Sequence, residues 1–339
     1  VKKSENGDVL YTDLEQKILQ VFTQLFDEKD FSLNDNYFEM GGDSIKSIQL
    51  ASLFQRENMN ITSIDIMNAD QLKDLSKLAL VNTMEFNQQP IEGFFELLPI
   101  QKWFFSHDFD NINHWNQSME FEIDSSLTKS DIINIYDAIR RKHDVLRSNF
   151  IDTDHGKKVM IKENDNSKGM DEVSVVEILD VDKEIEMKQQ LINDLQGSLN
   201  IEGGSVSKLV VIKDSAERHS LVWVIHHLIC DNVSWLILKD DFDMAMKQVI
   251  ARQPIQLMEK TTNFEVLIQE TTNQVIPTHI RTEWERIIGA DSKERFKNQM
   301  SSTLKIPFKT KIFEVDERET EALLSFSKKK NYSLDTMMM

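Results

Sequence analysis

Residues 220–242, SLVWVIHHLICDNVSWLILKDDF, combine an apolar run, a polar turn and a second apolar pattern. Residues 221–225 are apolar at every position, which is typical of a central strand covered on both faces. After the turn, Trp235, Leu238 and Phe242 recur every three or four residues, which predicts a helix. A buried strand is therefore expected to lead through HHLICDNVS into an amphipathic helix.

Strand-like and helix-like runs alternate around this unit. They are QSMEFEI at 117–123, SDIINIYDAIRRKH at 130–143, KLVVIK at 208–213 and WLILKDDFDMAMKQVI at 235–250. The alternation predicts an α/β domain. Before it, the sequence VNTMEFNQQPIEG at 81–93 loses periodicity and gains Asn, Gln, Pro and Gly, which predicts a linker between domains.

The N-terminal region, residues 1–80, shows helical patterns only, which predicts a small all-α bundle. The first helix follows Thr12 or Asp13 as N-cap, the second begins at Ser44, and the third lies in ADQLKDLSKLAL. The predicted inward residues are Leu14, Ile18, Val21, Phe22 and Leu25 in the first helix, Ile45, Ile48, Ala51 and Leu53 or Phe54 in the second, and Leu72, Leu75 and Leu78 or Ala79 in the third.

Composition excludes several classes of protein. Asp and Glu outnumber Lys and Arg by 57 to 39, and a formal net charge of −18 repels nucleic acid. No apolar run is long enough to span a bilayer, and the charged start VKKSENGDVL does not resemble a signal peptide, so a cytoplasmic protein is expected. The single cysteine, Cys230, argues against a disulfide framework or a multi-cysteine zinc site, and we expect it to be a small buried apolar residue.

Ser44 is the first candidate site. Gly41 and Gly42 before it permit positive φ, so the chain can turn sharply into a helix that begins at Ser44. Unpaired N–H groups at a helix N-terminus favour an anion, such as a phosphodiester on that hydroxyl. The alternative is that Ser44 or Asp43 only caps the helix.

His226, His227 and Asp231 at the end of the buried strand form the second candidate site. Adjacent strand residues face opposite ways, so one histidine is expected to face a cleft while the other packs inward. A metal site that uses both histidines is geometrically awkward, and we predict none. For His226, a buried structural histidine remains the alternative.

The segment NYFEMGGDSIKSIQL at 36–50 resembles the signature of peptidyl carrier domains of nonribosomal peptide synthetases. The resemblance implies a four-helix bundle at 1–80 and a 4′-phosphopantetheine attached to Ser44, beside Gly42 and Asp43. The arm would carry an aminoacyl or peptidyl thioester. A phosphopantetheinyl transferase, an adenylation domain before the chain and a condensation domain after it are the implied partners.

The pattern from His226 to Asp231 resembles the HHxxxD motif of condensation and epimerization domains, whose fold is like that of chloramphenicol acetyltransferase. Segments 99–104 (PIQKWF) and 233–235 (VSW) resemble epimerization domains, and segments 114–118 and 143–147 also fit the family. Asn232 departs from the usual glycine, and we expect it to tolerate a left-handed conformation.

The resemblance implies roles for single residues. His227 is the catalytic acid or base at the substrate's α-carbon, His226 stands beside it, and Asp231 is structural and paired with Arg147. Inversion also needs a second acid or base, which in the family is a glutamate of an EGHGRE-like motif that this sequence lacks. We therefore expect the chain alone to be inactive.

The expected architecture is a carrier domain at 1–80, a linker at 81–95, an N-terminal α/β lobe at 96–270 and the start of a truncated C-terminal lobe at 271–339. The last residues, 333–339, are expected to begin an apolar helix. The expected function is inversion of a carried L residue to D. One alternative is a condensation domain that forms peptide bonds, and another is a non-enzymatic docking platform whose histidines only stabilise the fold.

Overall fold

The computed structural model describes residues 11–26, 31–57, 59–79, 87–163, 169–178, 183–214, 216–260, 262–287 and 314–330. The chain forms two compact units, Val1–Gln274 and Val275–Met339. No helix within the described ranges is long and apolar enough to cross a membrane.

Four helices make up the N-terminal part of the first unit. They are α1 (Asp13–Leu25), α2 (Ser44–Arg56), α3 (Ser63–Asn68) and α4 (Leu72–Ala79). At the start of α1 the Thr12 hydroxyl accepts from the Glu15 N–H while the Glu15 carboxylate accepts from the Thr12 N–H, a reciprocal cap. One shared apolar core joins the four helices, so the expected helical bundle is confirmed.

The predicted inward face of helix α2 is confirmed for Ala51, Leu53 and Phe54, but not for Ile45 and Ile48. Leu50 and Phe54 are fully buried together with Ser47, whereas Ile45 is 50% exposed. Ile48 is only half-buried and lies outside the core cluster. The prediction of Ile45 and Ile48 as inward residues is wrong, because burying the larger pair Leu50 and Phe54 removes more apolar surface from water.

A four-stranded sheet forms the centre of the following lobe. Its strand order is β2 (Asn116–Ile123), β7 (His219–His226), β6 (Ser207–Lys213) and β5 (Val173–Glu177). Strand β7 pairs antiparallel with both β2 and β6, and β5 pairs parallel with β6. Residues 221–226 are all buried, so the predicted central strand is confirmed.

Helices cover both faces of this sheet. Helices α6 (Lys129–Lys142) and α9 (Asn232–Ile250) pack on one face, where Trp223 meets Phe242. Helix α8 (Glu184–Gly197) packs on the other face through its own apolar cluster. The predicted α/β lobe is therefore confirmed.

A smaller sheet lies beside the turn that follows β7. The remaining elements of the unit are β1 (Gly93–Phe95), α5 (Pro99–Phe105), a 3₁₀ helix (Asp144–Arg147), β3 (Ser148–Thr153), β4 (Gly156–Ile161), α7 (Gly169–Glu172) and α10 (Phe264–Asn273). The strands pair antiparallel in the order β1, β4, β3. Their apolar side chains share a core with Phe104 of α5 and Leu228 of the turn. This sheet therefore fixes α5 against the turn.

The second unit contains α11 (Thr278–Ile287) and α12 (Glu317–Lys330). The apolar helix expected at 333–339 lies outside the described residues. The four domain ranges given above stay predictions.

Candidate active site

Ser44 is exposed at the first position of α2. The preceding residue, Asp43, caps the helix, since its Oδ1 accepts from the Lys46 N–H at 2.8 Å. Within the described part of the chain the Ser44 hydroxyl makes no hydrogen bond. The Ser44 carbonyl accepts one from the Ser47 hydroxyl. The cap is therefore supplied by Asp43, and the Ser44 hydroxyl faces water.

The two glycines before Ser44 are required for different reasons. Gly41 has φ +83°, a conformation that L side chains rarely adopt. Gly42 has no positive φ; instead, an added Cβ would lie 2.4 Å from the Tyr37 ring. The Tyr37 hydroxyl donates to the Asp43 carbonyl at 2.5 Å and accepts from the Asp43 N–H at 3.1 Å. The expectation that both glycines supply positive φ is thus corrected, because Gly42 makes room for a ring that fastens the cap.

His226 is fully buried, with backbone partners at both ring nitrogens. Its Nε2 donates to the Ile112 carbonyl at 2.8 Å, and its Nδ1 accepts from the Leu228 N–H at 3.2 Å. Burial lowers the pKa of His226 to about 4. These observations favour the alternative of a buried, neutral structural histidine over a catalytic role for His226.

His227 is half-buried and faces the other way. Its Nδ1 lies 2.7 Å from the Cys230 carbonyl, and its ring stands edge-on to Trp115 with centroids 5.8 Å apart. The His227 N–H donates to the Trp115 carbonyl at 2.8 Å. Because a carbonyl oxygen only accepts, Nδ1 carries the proton in the neutral ring, and Nε2 then has the lone pair. A neutral imidazole with its lone pair on Nε2 is a candidate base.

An open cavity of about 450 Å³ adjoins the side chain of Gln117, which in turn contacts His227 Nε2. Its lining residues are Gln117, Ser118, Met119, Asn232 and Trp235. The amide of Gln117 reaches His227, Asn232 and Trp235. No chemical role was predicted for the side chain of Gln117 or Trp235. Their contact depends on the pairing of β2 with β7, which no local pattern reveals.

Asn232 is the first residue of α9 and does not have positive φ. The left-handed conformation that Asn232 was expected to tolerate does not occur, and the backbone at this position has no need of glycine.

Asp231 and Arg147 do not form the expected pair. Asp231 is exposed and caps α9, where its Oδ1 accepts from the Ser234 N–H at 2.8 Å and from the Ser234 hydroxyl at 2.7 Å. Arg147 is buried and pairs with Asp144 at 2.9 Å. Among the described residues no ion pair joins Arg147 to Asp231. The pairing was wrong because an exposed, hydrated carboxylate needs no ionic partner.

Cys230 is buried in the core of the lobe, as predicted. Burial raises the pKa of its thiol to about 12, so it is not a thiolate nucleophile. The described ranges contain no group of three or more His, Cys, Asp or Glu side chains that could hold a metal ion.

The segment PIQKWF supports the turn from the opposite side. Gln101 is buried, and its Nε2 donates to the Leu228 carbonyl at 3.1 Å while its Oε1 accepts from the Leu98 N–H at 2.9 Å. The Trp103 ring is tilted by 55° to the Trp115 ring, with centroids 5.7 Å apart. One side chain of this segment thus holds the turn that carries His227.

Two protein-family models match the chain. The model described as phosphopantetheine attachment site matches residues 16–79, and the model described as condensation domain matches residues 91–339. One of the proteins that make up the linear gramicidin synthase of Brevibacillus parabrevis is 31% identical over 84% of this chain and 6% of that protein. Surfactin synthase subunit 2 of Bacillus subtilis (strain 168) is 29% identical over 76% of this chain and 7% of that protein. The chain spans less than a tenth of the length of these curated relatives.

Two solved structures share the fold of the lobe. The epimerization domain from the third module of tyrocidine synthetase B is 24% identical, with a TM-score of 0.50, over 68% of this chain and 49% of that one. A variant of the starter condensation domain of rhizomide synthetase is 14% identical, with a TM-score of 0.50, over 58% of this chain and 45% of that one.

Proposed function

The chain belongs to the condensation domain family of nonribosomal peptide synthetases and carries a phosphopantetheine attachment domain ahead of it, and on that basis we propose that it presents a carried aminoacyl or peptidyl group for inversion of the α-carbon from L to D. The observation that carries the proposal is the state of His227. Its Nδ1 is bound to the Cys230 carbonyl, and its Nε2 contacts Gln117, which lines an open cavity.

The carrier part holds 4′-phosphopantetheine, whose thiol supplies a thioester linkage for the carried group. We assign its attachment to Ser44. An exposed hydroxyl without a hydrogen bond in the described structure, at the start of a helix capped by Asp43, fits a serine that must reach a modifying enzyme. A phosphopantetheinyl transferase is the required partner, and we propose an adenylation domain before the carrier and a condensation domain that takes the product.

In the proposed reaction His227 Nε2 takes or returns the proton at the α-carbon. The Cys230 carbonyl keeps the proton on Nδ1, and Asp231 fixes the start of α9 and therefore the end of the turn. Inversion requires a second proton donor on the other face of the carbon. None of the residues that line the cavity is an acid: they are Gln117, Ser118, Met119, Asn232 and Trp235. We therefore assign the role of second proton donor to a carboxylate elsewhere in the protein.

Two segments support inversion over peptide-bond formation. Residues 99–104 and 233–235 resemble epimerization domains, and both contact the surroundings of His227. Gln101 binds the Leu228 carbonyl, and Trp235 binds Gln117. The epimerization-like features thus lie around the reacting histidine.

Peptide-bond formation is the second candidate, favoured by the condensation-domain description matched at residues 91–339. A complete synthetase that contains this chain separates the two. Loaded with an L-aminoacyl group and given no acceptor, it should release a mixture of D and L residues after thioester cleavage. An exclusively L product, together with peptide formation once an acceptor is supplied, would establish condensation instead.

The attachment site has its own test. After incubation with coenzyme A and a phosphopantetheinyl transferase, the intact chain should gain the mass of one phosphopantetheinyl group, and S44A should gain none. Equal mass gain by S44A would place the attachment on another residue.

A further inference from the structure

The side chain of Gln117, in β2, connects three groups around the candidate base. Its Oε1 accepts from the Trp235 indole N–H at 3.0 Å. Its Nε2 lies 3.3 Å from Asn232 Oδ1 and 3.4 Å from His227 Nε2. No other residue of the described cavity lining has a hydrogen bond to the His227 ring.

Chemistry fixes the direction of this amide. An indole N–H can only donate, so the oxygen of Gln117 must face Trp235 and the NH₂ group must face His227 and Asn232. Asn232 Oδ1 accepts one of the two amide hydrogens, which leaves the other for the ring. The Gln117 N–H that faces Nε2 of His227 is attracted by a lone pair on that nitrogen and repelled by an N–H there.

We propose that Gln117 is a positioning residue that keeps a lone pair on Nε2 of His227, with Trp235 and Asn232 holding its amide in the required direction. The proposal rests on the proposed function, in which Nε2 is the reacting atom. It gives Asn232 a reason to stand where related domains usually have glycine: the residue supplies an acceptor instead of a backbone conformation.

The decisive variant is Q117E. A carboxylate keeps the bond from Trp235 but replaces the donor facing His227 by an acceptor, which favours a proton on Nε2. In protein labelled with ¹⁵N-histidine, wild type should show a pyridine-type Nε2 and a pyrrole-type Nδ1 for His227 at pH 8. In Q117E the Nε2 signal should move toward the pyrrole-type position at that pH, because the carboxylate favours a proton there. The H227A variant identifies the signals.

A matched control places the same charge one residue away. Ser118 also lines the cavity, but adjacent strand residues point to opposite faces, so S118D should leave the His227 signals as in wild type. Q117L removes the donor without adding charge, and its Nε2 signal should move toward that of a free unprotonated imidazole nitrogen. Identical ring signals in wild type, Q117E and Q117L would overturn the proposal.

The ring state is read without turnover, so this test is separate from that of the proposed function. If the ring signals change as expected but a complete synthetase forms no D residue, the positioning role stands and the inversion reaction falls.

In an active synthetase, Q117L should lower kcat by about 10- to 100-fold with little change in KM, as for other residues that orient a reacting side chain. Should Q117E fail to fold, N232G supplies the ring readout: it removes one acceptor of the amide, and its Nε2 signal should move in the same direction as in Q117L. An unchanged signal in N232G would contradict the assigned role of Asn232.

Discussion

The carboxylate of Asp144 holds three separate segments of the first unit together. It accepts from Arg147 at 2.9 Å, from Lys260 at 3.0 Å and from the Ile91 N–H at 3.2 Å. Arg147 gives its other donors to the carbonyls of Ile91, Arg140 and Lys162. Because these groups are buried, the network binds the start of the lobe to the segment after α9.

The variant R147M should lower the free energy of unfolding by about 3–5 kcal/mol, because it leaves buried carbonyls and a carboxylate without their donor. Urea unfolding of the purified chain measures the loss. The matched control is R218M, which breaks a pair whose arginine is 67% exposed, and its effect should be much smaller because water screens that pair. Equal losses for both variants would contradict the structural role given to Arg147.

His226 makes the stability of the lobe depend on pH. Its pKa of about 4 in the folded chain lies below the ordinary histidine value of about 6.5. Between these two pH values the unfolded state binds a proton at this ring and the folded state does not, so acid favours unfolding. This contribution is complete above about pH 6.5 and is lost as the pH falls toward 4, and the difference is on the order of 3 kcal/mol. Urea unfolding at pH 7 and pH 4.5 should show a smaller drop for H226Q than for wild type. Parallel drops would contradict a buried neutral ring.

Strand alternation alone separated the two histidines, and the structure places His226 inside the lobe and His227 against the cavity-lining residue Gln117. The positions of Arg147 and Gln117 were beyond such reasoning. Arg147 lies next to Asp144 in a 3₁₀ helix whose burial no local pattern reveals. Gln117 meets His227 only because β2 pairs with β7 in a register that sets Asn116 opposite His226.

At the scale of elements, the start of α2 depends on the close approach of Tyr37 to Gly42. The variant G42A should destabilise the carrier part by about 1–3 kcal/mol, since the added methyl group overlaps the ring. Thermal unfolding of the carrier part measures the change, and transfer of phosphopantetheine to Ser44 should slow in parallel. In contrast, G197A at the end of α8 meets nothing within 4 Å and should be neutral or stabilising. Equal destabilisation by both variants would show that the Tyr37 contact is unimportant.

Long elements with a strong period were predicted, and short ones were not. Helices α1 and α9 and strand β7 follow their apolar patterns closely. Helix α3 has six residues, too few for a periodic pattern, and β1 has three. For α2 the period was recognised but the inward face only in part, because apolar residues surround the helix and only the neighbouring helices decide which are buried.

At the scale of the whole first unit, the helix that begins at Ser44 contacts the helix that begins after the His227 turn. The hydroxyl of Ser52 lies 3.4 Å from Asp240, and the Gln55 side chain donates to the Glu259 carbonyl at 2.8 Å. Ser52 lies eight residues after the first residue of α2, and Asp240 lies eight residues after the first residue of α9. Each is therefore about 12 Å from the start of its helix. The carrier helix therefore rests on the element that extends from the candidate active site.

Loss of an α-deuterium label to water shows whether His227 reacts with a group carried on Ser44. A complete synthetase with holo carrier is loaded with an α-deuterated aminoacyl group, and the loss of deuterium to water is followed by mass spectrometry. Replacing His227 by Ala should slow the loss by about 10²- to 10⁴-fold, the usual contribution of a general base, while phosphopantetheine attachment and loading stay normal. Deuterium loss at the wild-type rate in H227A would contradict the account.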